Sequence, residues 1–277
     1  MGFSVTFLGT GGGRHTTMYQ TRSTGGMLMR HAGGRIHMDP GPGALVQMRR
    51  IHYDPALTDS VIVSHAHPDH YSDAECVIEG MTLGGWKKRG SLYGSPTVIE
   101  GEGSLGPCIS RYHLNVVGRA AVIRPGDELD VDGLPVGICR ADHSDPTNVG
   151  FKMRTDAGIV SYVSDTSYSE EIARQYEGSR VLILPVTTPW GLRIPYHMCS
   201  EDAAMFAAAV KPEAVVMTHF GIVMIKRGPA REAAEAEAAS GVRTIAAEDL
   251  STLDVGDSVS VGRARAYDDD WIPPSSI

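Results

Sequence analysis

The sequence predicts an α/β fold. Short β-branched apolar runs such as "SVIVS" and "RVLILPV" recur along the chain, and stretches of helical period lie between them. At 277 residues the chain is long enough for one large domain with a full apolar core. No stretch of linker composition separates two halves, so residues 1–277 read as a single domain of two α/β halves, with 263–277 as a draped or frayed C-terminal tail.

The elements follow in order. "FSVTFLG" alternates as a strand, Gly9 to Gly13 read as a tight turn near the site, and "GGMLMRH" and "RIHMDPG" continue a β-meander. After Pro42 and Gly43, "GALVQMRRIHY" carries Leu45, Met48 and Ile51 at helical spacing. "SVIVS" is too short for a helix and reads as a buried strand that delivers "HAHPDH" at its C-terminal end. Residues 84–115 are rich in Gly, Ser and Pro with weak periodicity, and read as a lid or a surface excursion. From residue 120 the order of strands and then helix repeats, through "VGFKMRT", "GIVSYVSDT", helical "SEEIARQYE" and the strand "RVLILPV". Ser200 reads as the N-cap of "SEDAAMFAAAV", "AVVMTHF" as the next buried strand, and Pro229 and Gly241 bracket a last helix.

Composition narrows the function classes. Apolar residues make up 42% and charged residues 21%, and no apolar run reaches the roughly 20 residues of a membrane span. No secretion signal is evident at the N-terminus, which makes a cytoplasmic location the default. Cys76, Cys108, Cys139 and Cys199 lack CxxC spacing and read as free thiols. A net charge of −8 works against polyanion binding, which rests on Lys and Arg.

The chemistry concentrates in the loop after "SVIV". His65, His67, Asp69 and His70 lie within six positions, and imidazole and carboxylate together suit zinc, iron or manganese. Clustered imidazoles without a cation would face repulsion or desolvation. Alternate residues His65 and His67 can face one ion while Asp69 and His70 turn toward a second. Three further candidates follow strand-like runs: His143 in "RADHSDP", Asp165 in "SYVSDTS" and His219 in "VVMTHFG". Trp190, Arg193 and Tyr196 can line a pocket for an organic group. His15, His31, His37, His52 and His113 have no partner motif and read as ordinary residues, and Cys199 as a packing thiol.

The ordered set "SHAHPDH", "DHS", "SDT" and "THFG" resembles the metallo-β-lactamase superfamily, and "FLGTGGG" with "HMDPGPG" is similar to its ribonuclease Z and phosphodiesterase branch, over roughly residues 3–225. The resemblance implies a four-layer αβ/βα sandwich with metals at one edge. It further implies one ion held by His65, His67 and His143, a second by Asp69, His70 and His219, and Asp165 bridging both. True β-lactamases resemble this pattern without the aspartate, which turns the expectation away from antibiotic cleavage; His67 turns it away from the flavo-diiron branch. His197 in "PYHMCSEDA" looks like the branch's phosphate-contacting or proton-donating histidine.

The expected activity is that of a dinuclear hydrolase, foremost a phosphodiesterase with a metal-bridging hydroxide held by Asp69 and with His197 serving the leaving group. The ions are two divalent cations, Zn2+ foremost, with Mn2+ or Fe2+ also suited. A thioester, lactone or amide hydrolase, and a metal-binding scaffold without turnover, stand as alternatives. Two departures from ribonuclease Z matter: "LILPVTTPWG" lacks the glutamate of its His-Glu-Ala-Thr segment, which leaves Asp145 or a metal-bound water as substitutes, and there is no room between His143 and His197 for the basic arm that grips tRNA. A small or short phosphodiester is therefore the expected partner rather than tRNA or a membrane, and a homodimer stays open.

Overall fold

In the computed structural model, which describes residues 2–264 and 266, the chain builds two large sheets face to face with helices outside each. The first half runs β1 (Phe3–Phe7), α1 (Gly13–Tyr19), β2 (Met27–His31), β3 (Gly34–Met38), α2 (Ala44–Arg50), β4 (Ser60–Val63), α3 (Pro68–Tyr71), α4 (Ala74–Met81), β5 (Arg89–Gly94), α5 (Pro96–Ile99), α6 (Arg111–Val116) and β6 (Val117–Val122). The second half runs β7 (Glu128–Val131), β8 (Leu134–Arg140), β9 (Val149–Thr155), β10 (Gly158–Tyr162), α7 (Glu170–Arg174), β11 (Ser179–Thr188), β12 (Met198–Cys199), α8 (Ser200–Val210), β13 (Ala214–Thr218), α9 (Ile222–Arg227), α10 (Pro229–Ser240), β14 (Thr244–Ala246), β15 (Ser251–Val255) and β16 (Val259–Arg263).

One sheet has the order β16-β15-β1-β2-β3-β4-β5-β6 and the other β14-β13-β11-β10-β9-β8-β7, with β12 paired to β11. Side chains alternate across a strand, and in inner strands such as β4 and β11 both faces are buried. In β4, Ile62 enters the core between the sheets while Val61 and Val63 enter the outer layer against α2 and α4. In β11, Val181 and Ile183 face the first sheet, and Leu182, Leu184 and Val186 face α8 and α10. Each such side chain stabilises the fold by about 1.5–3 kcal/mol on burial. The result is the four-layer sandwich expected from the sequence.

Several local expectations are corrected. Residues 84–115 are neither lid nor excursion throughout, because β5 is an interior strand paired in parallel with both β4 and β6. Its sequence "RGSLYG" hides this, since only Leu92 and Tyr93 are large and apolar. Gly13 opens α1 instead of ending a turn. Cys199, one residue before Ser200, stands at the N-cap of α8, where the Asp202 carboxylate accepts its amide at 3.1 Å. Of the expected tail at 263–277, Arg263 closes β16 and the Ala264 amide donates to the Leu250 carbonyl; almost all of the rest lies outside the described residues. All four cysteines are free. Among the described residues no helix is long and apolar enough to cross a membrane.

His37 on β3 is fully buried, with Nε2 2.8 Å from the accepting Gly25 carbonyl and Nδ1 unpartnered. Burial pushes its imidazole down to about 4, against the Gly25 hydrogen bond and the Asp39 charge. An unfolded chain takes that proton near pH 6.5, so the unfolded state binds more protons between about pH 6.5 and 4 and stability falls as pH drops through that window. Denaturant titrations of the metal-free protein at about pH 7 and about pH 4.5 are expected to show His37→Gln reducing this pH dependence by up to about 1.4 kcal/mol per pH unit. An unchanged slope would contradict the assignment.

Candidate metal centre

The parallel strands end together at one rim of the sandwich, and their C-terminal ends carry the chemistry. β4 leads into Ser64, His65, His67, Asp69 and His70; β8 leads to His143, β10 to Asp165 and β13 to His219. The loop between β11 and β12 brings in His197. All eight residues expected from the sequence meet in one crevice.

Two groups are evident. His67 Nδ1 lies 3.0 Å from His65 Nε2 and 3.0 Å from His143 Nε2. Beside them, His219 Nε2 lies 3.2 Å from His70 Nε2 and 3.3 Å from Asp69 Oδ2. Asp165 Oδ2 stands among them, 3.5 Å from His70, 3.2 Å from His219 and 3.5 Å from the Nε2 of His197. Its other oxygen, Oδ1, is buried with no hydrogen-bond partner.

Hydrogen bonds on the far side of each ring set the tautomers. The His70 Nδ1–H donates to Asp39 Oδ2 at 3.0 Å, and the His143 Nδ1–H donates to the Tyr196 carbonyl at 3.0 Å. The Ser64 hydroxyl donates to Asp39 Oδ2 at 2.8 Å and so accepts from His65 Nδ1 at 2.9 Å. With Nδ1 protonated, the Nε2 lone pairs of His65, His70 and His143 point into the crevice. Two such lone pairs face His67 Nδ1, and a single proton cannot satisfy both contacts. Four ligands at about 2.0–2.1 Å from a tetrahedral zinc lie roughly 3.3 Å apart, so the spacing, the donor set and the orphaned Asp165 oxygen all fit divalent cations.

Electrostatics agree. Burial, reinforced by His70 and His143, holds His65 well below its usual value, and burial lowers His67 and takes His143 down to about 4. These rings stay neutral, as ligation requires. Burial would raise both carboxyls, but His70 and His219 hold Asp69 and Asp165 below the usual carboxylate range. Burial likewise opposes charge on His70, yet Asp165 and Asp69 raise it well above its ordinary value, so a proton there stands in for cationic charge. His197 is lowered by burial and raised more by its contact with Asp165, for a net upward shift.

Asp39, without an assigned role in the sequence reading, and Asp145 hold this arrangement. Asp39, at the end of β3, accepts from His70, the Ser64 hydroxyl and Tyr162 OH at Oδ2, and from the Ser64 amide at 2.7 Å through Oδ1. Its signal was the aspartate of "HMDPGPG", directly after a buried strand. Asp145 is not placed to substitute for the missing glutamate: it is fully buried, and its oxygens accept from the Ala66 amide, Thr97 and Thr147, which pins the loop between His65 and His67. His197 instead donates Nδ1–H to the Pro195 carbonyl at 3.0 Å. Of the expected pocket residues, Trp190 packs against the α8–α10 layer, Arg193 is tied to Asp202 and Glu201, and Tyr196 is half-exposed. Asp39, Ser164, Tyr196 and His219 all take left-handed backbone, which non-glycine residues adopt mainly where surroundings impose it.

Comparison with known proteins gives a consistent placement. Residues 34–220 match the family described as the beta-lactamase superfamily domain. An uncharacterised protein of Methanocaldococcus jannaschii is 36% identical over 226 residues, covering 81% of this chain and 85% of that one. Ribonuclease Z of Methanosarcina acetivorans is 28% identical over 143 residues, and the match spans 52% of this chain but only 46% of that protein. In fold, the chain resembles the metallo-β-lactamase fold protein YhfI of Bacillus subtilis, with a TM-score of 0.75 at 19% identity over 95% of this chain and all of that one. The chain belongs to the beta-lactamase superfamily domain family and has the metallo-β-lactamase fold.

Proposed function

We propose that the chain hydrolyses short phosphodiesters in the cytoplasm with two divalent metal ions, zinc foremost. Members of this family are generally metal-dependent hydrolases. The observation that carries the finer reading is the position of Asp165, whose Oδ2 lies against His70, His219 and His197 and whose carboxylate is within 4.8 Å of ligand atoms of His65 and His143 in the first group. The partial likeness to ribonuclease Z adds phosphodiester chemistry to that geometry. Between His143 and His197 the chain is taken up by β9, β10, α7 and β11, which supports a short substrate over tRNA.

In this reading His65, His67 and His143 hold one ion, Asp69, His70 and His219 the other, and Asp165 serves both. Bound there, the ions supply a water of lowered pKa and polarise a phosphoryl oxygen. Asp69 orients the attacking water, fixed in turn by the Gly13 amide, which donates to its Oδ2 at 2.8 Å. His197, kept protonated by Asp165 and aimed by the Pro195 carbonyl, gives its Nε2 proton to the departing alkoxide.

Metal-loaded protein tested against bis-p-nitrophenyl phosphate, a thioester and a lactone is expected to favour the phosphodiester by about 100-fold or more in kcat/KM. His197→Ala should slow diesters with alkyl leaving groups by about 10²–10⁴-fold and spare p-nitrophenyl esters, whose leaving group needs no proton. No phosphodiester turnover by the loaded protein would overturn the reading in favour of the other esters or a binding role.

A further inference from the structure

The loop of residues 189–197 does two things at the crevice: the Tyr196 carbonyl fixes the tautomer of His143, and the loop's last residue is His197. Leu192, Ile194 and Tyr196 on it are exposed, so packing of the stretch from 191 to 196 does not hold it in place. Away from the crevice, polar contacts tie it down at two points. Arg193 pairs with Asp202 and Glu201 at the start of α8, where Asp202 also serves as part of the helix cap. At the loop's beginning the Trp190 amide donates to Glu232 Oε2 at 2.7 Å.

Glu232 stands in the first turn of its helix but does not cap it. It lies on α10, beyond the residues that match the family, and its side chain is fully buried. Oε1 lies 3.1 Å from Arg227 Nε, within ion-pair range but off the line of a hydrogen bond, and Arg227 itself is 46% exposed. A carboxylate buried with only a half-exposed cation and one amide is an unfavourable arrangement unless its position matters. Trp190 packs its ring against the same layer, so the amide contact sets where the loop leaves the body of the fold.

We propose that Glu232 is a positioning residue: by holding the Trp190 amide it sets the loop that presents His197 to the leaving group, a role that rests on the proposed phosphodiesterase reading. Amide-acceptor geometry, rather than negative charge, is what the loop requires.

Three substitutions in the full-length, metal-loaded protein separate these properties. Glu232→Gln keeps the acceptor and the reach, Glu232→Asp keeps the charge but loses the reach, and Glu232→Ala loses both. Hydrogen exchange at the Trp190 amide is expected to accelerate about tenfold or more in the Asp and Ala variants, while amides of β13 stay protected, and Gln should restore protection. The same two variants should lose about 10–100-fold in kcat on a diester with an alkyl leaving group and about twofold or less on a p-nitrophenyl diester, with Gln recovering most of the loss. The proposal is overturned by unchanged Trp190 exchange in the Asp variant, by lost protection with an unchanged leaving-group ratio, or by Gln behaving as Asp does. If Ala fails to fold, the Asp and Gln pair decides alone. Should the wild-type protein cleave no phosphodiester, that result sinks the reading of function, and the exchange measurement by itself still decides whether Glu232 holds the loop.

Discussion

Asp165→Asn is expected to lower phosphodiester hydrolysis by about 1000-fold or more and to reduce the metal content of purified protein below two ions per chain. Outer-shell substitutions around a metal cost about 10–100-fold, and this residue sits inside that shell. Its Oδ2 is 3.2 Å from His219 Nε2 and 3.5 Å from His70 Nε2, so an amide there turns an N–H group or a neutral oxygen toward two rings that face negative charge in the wild type. The orphaned Oδ1 has no protein partner to lose, so the change falls on the charge and on the Oδ2 contacts with His70, His219 and His197. Steady-state kinetics with elemental analysis check this; a variant that keeps two ions and the wild-type rate would remove Asp165 from the centre.

Gly12→Ala is expected to cost about 100-fold in activity through His219 alone. A methyl group at residue 12 would come within 2.2 Å of the His219 ring, far inside contact distance. The ring cannot simply turn away, since Nδ1 is 3.0 Å from the Thr187 hydroxyl and Nε2 faces Asp69 and Asp165. Gly12 has an extended backbone at φ −158, which any residue adopts, so the effect is steric and not conformational. Overpacking of this kind destabilises by about 1–3 kcal/mol, and a displacement of about 1 Å at a reacting group can cost about 10²-fold. Kinetics and thermal denaturation together test it. Wild-type activity in Gly12→Ala would show that His219 has freedom the structure does not suggest.

The site was legible because its ligands are either neighbours in sequence or placed at strand ends. His65, His67, Asp69 and His70 share one loop, and "VVMTHFG" and "SYVSDTS" announce His219 and Asp165 by the buried strands before them. The sheets were legible where alternation is strict, as in β1, where Phe3, Val5 and Phe7 all enter the central core. What stayed hidden depends on contacts distant in sequence. Asp39 meets Ser64, His70 and Tyr162 only after both sheets have packed, and no local pattern records that meeting. Asp145 reads as a candidate substitute for the missing glutamate, and Glu232 as an ordinary acidic residue, until their buried partners are seen. β5 was missed because its identity comes from being flanked by β4 and β6, not from its own composition.

The central claim is that this crevice holds a pair of divalent cations. Metal-free protein titrated with Zn2+ near neutral pH, with bound metal counted after buffer exchange, tests it most directly. The account predicts two ions per chain in the wild type, and a clear loss of bound metal in both His67→Ala, which strikes the first group, and His219→Ala, which strikes the second. Retention of less than about 0.2 ions per chain by the wild type, or two ions held regardless of either substitution, would contradict it.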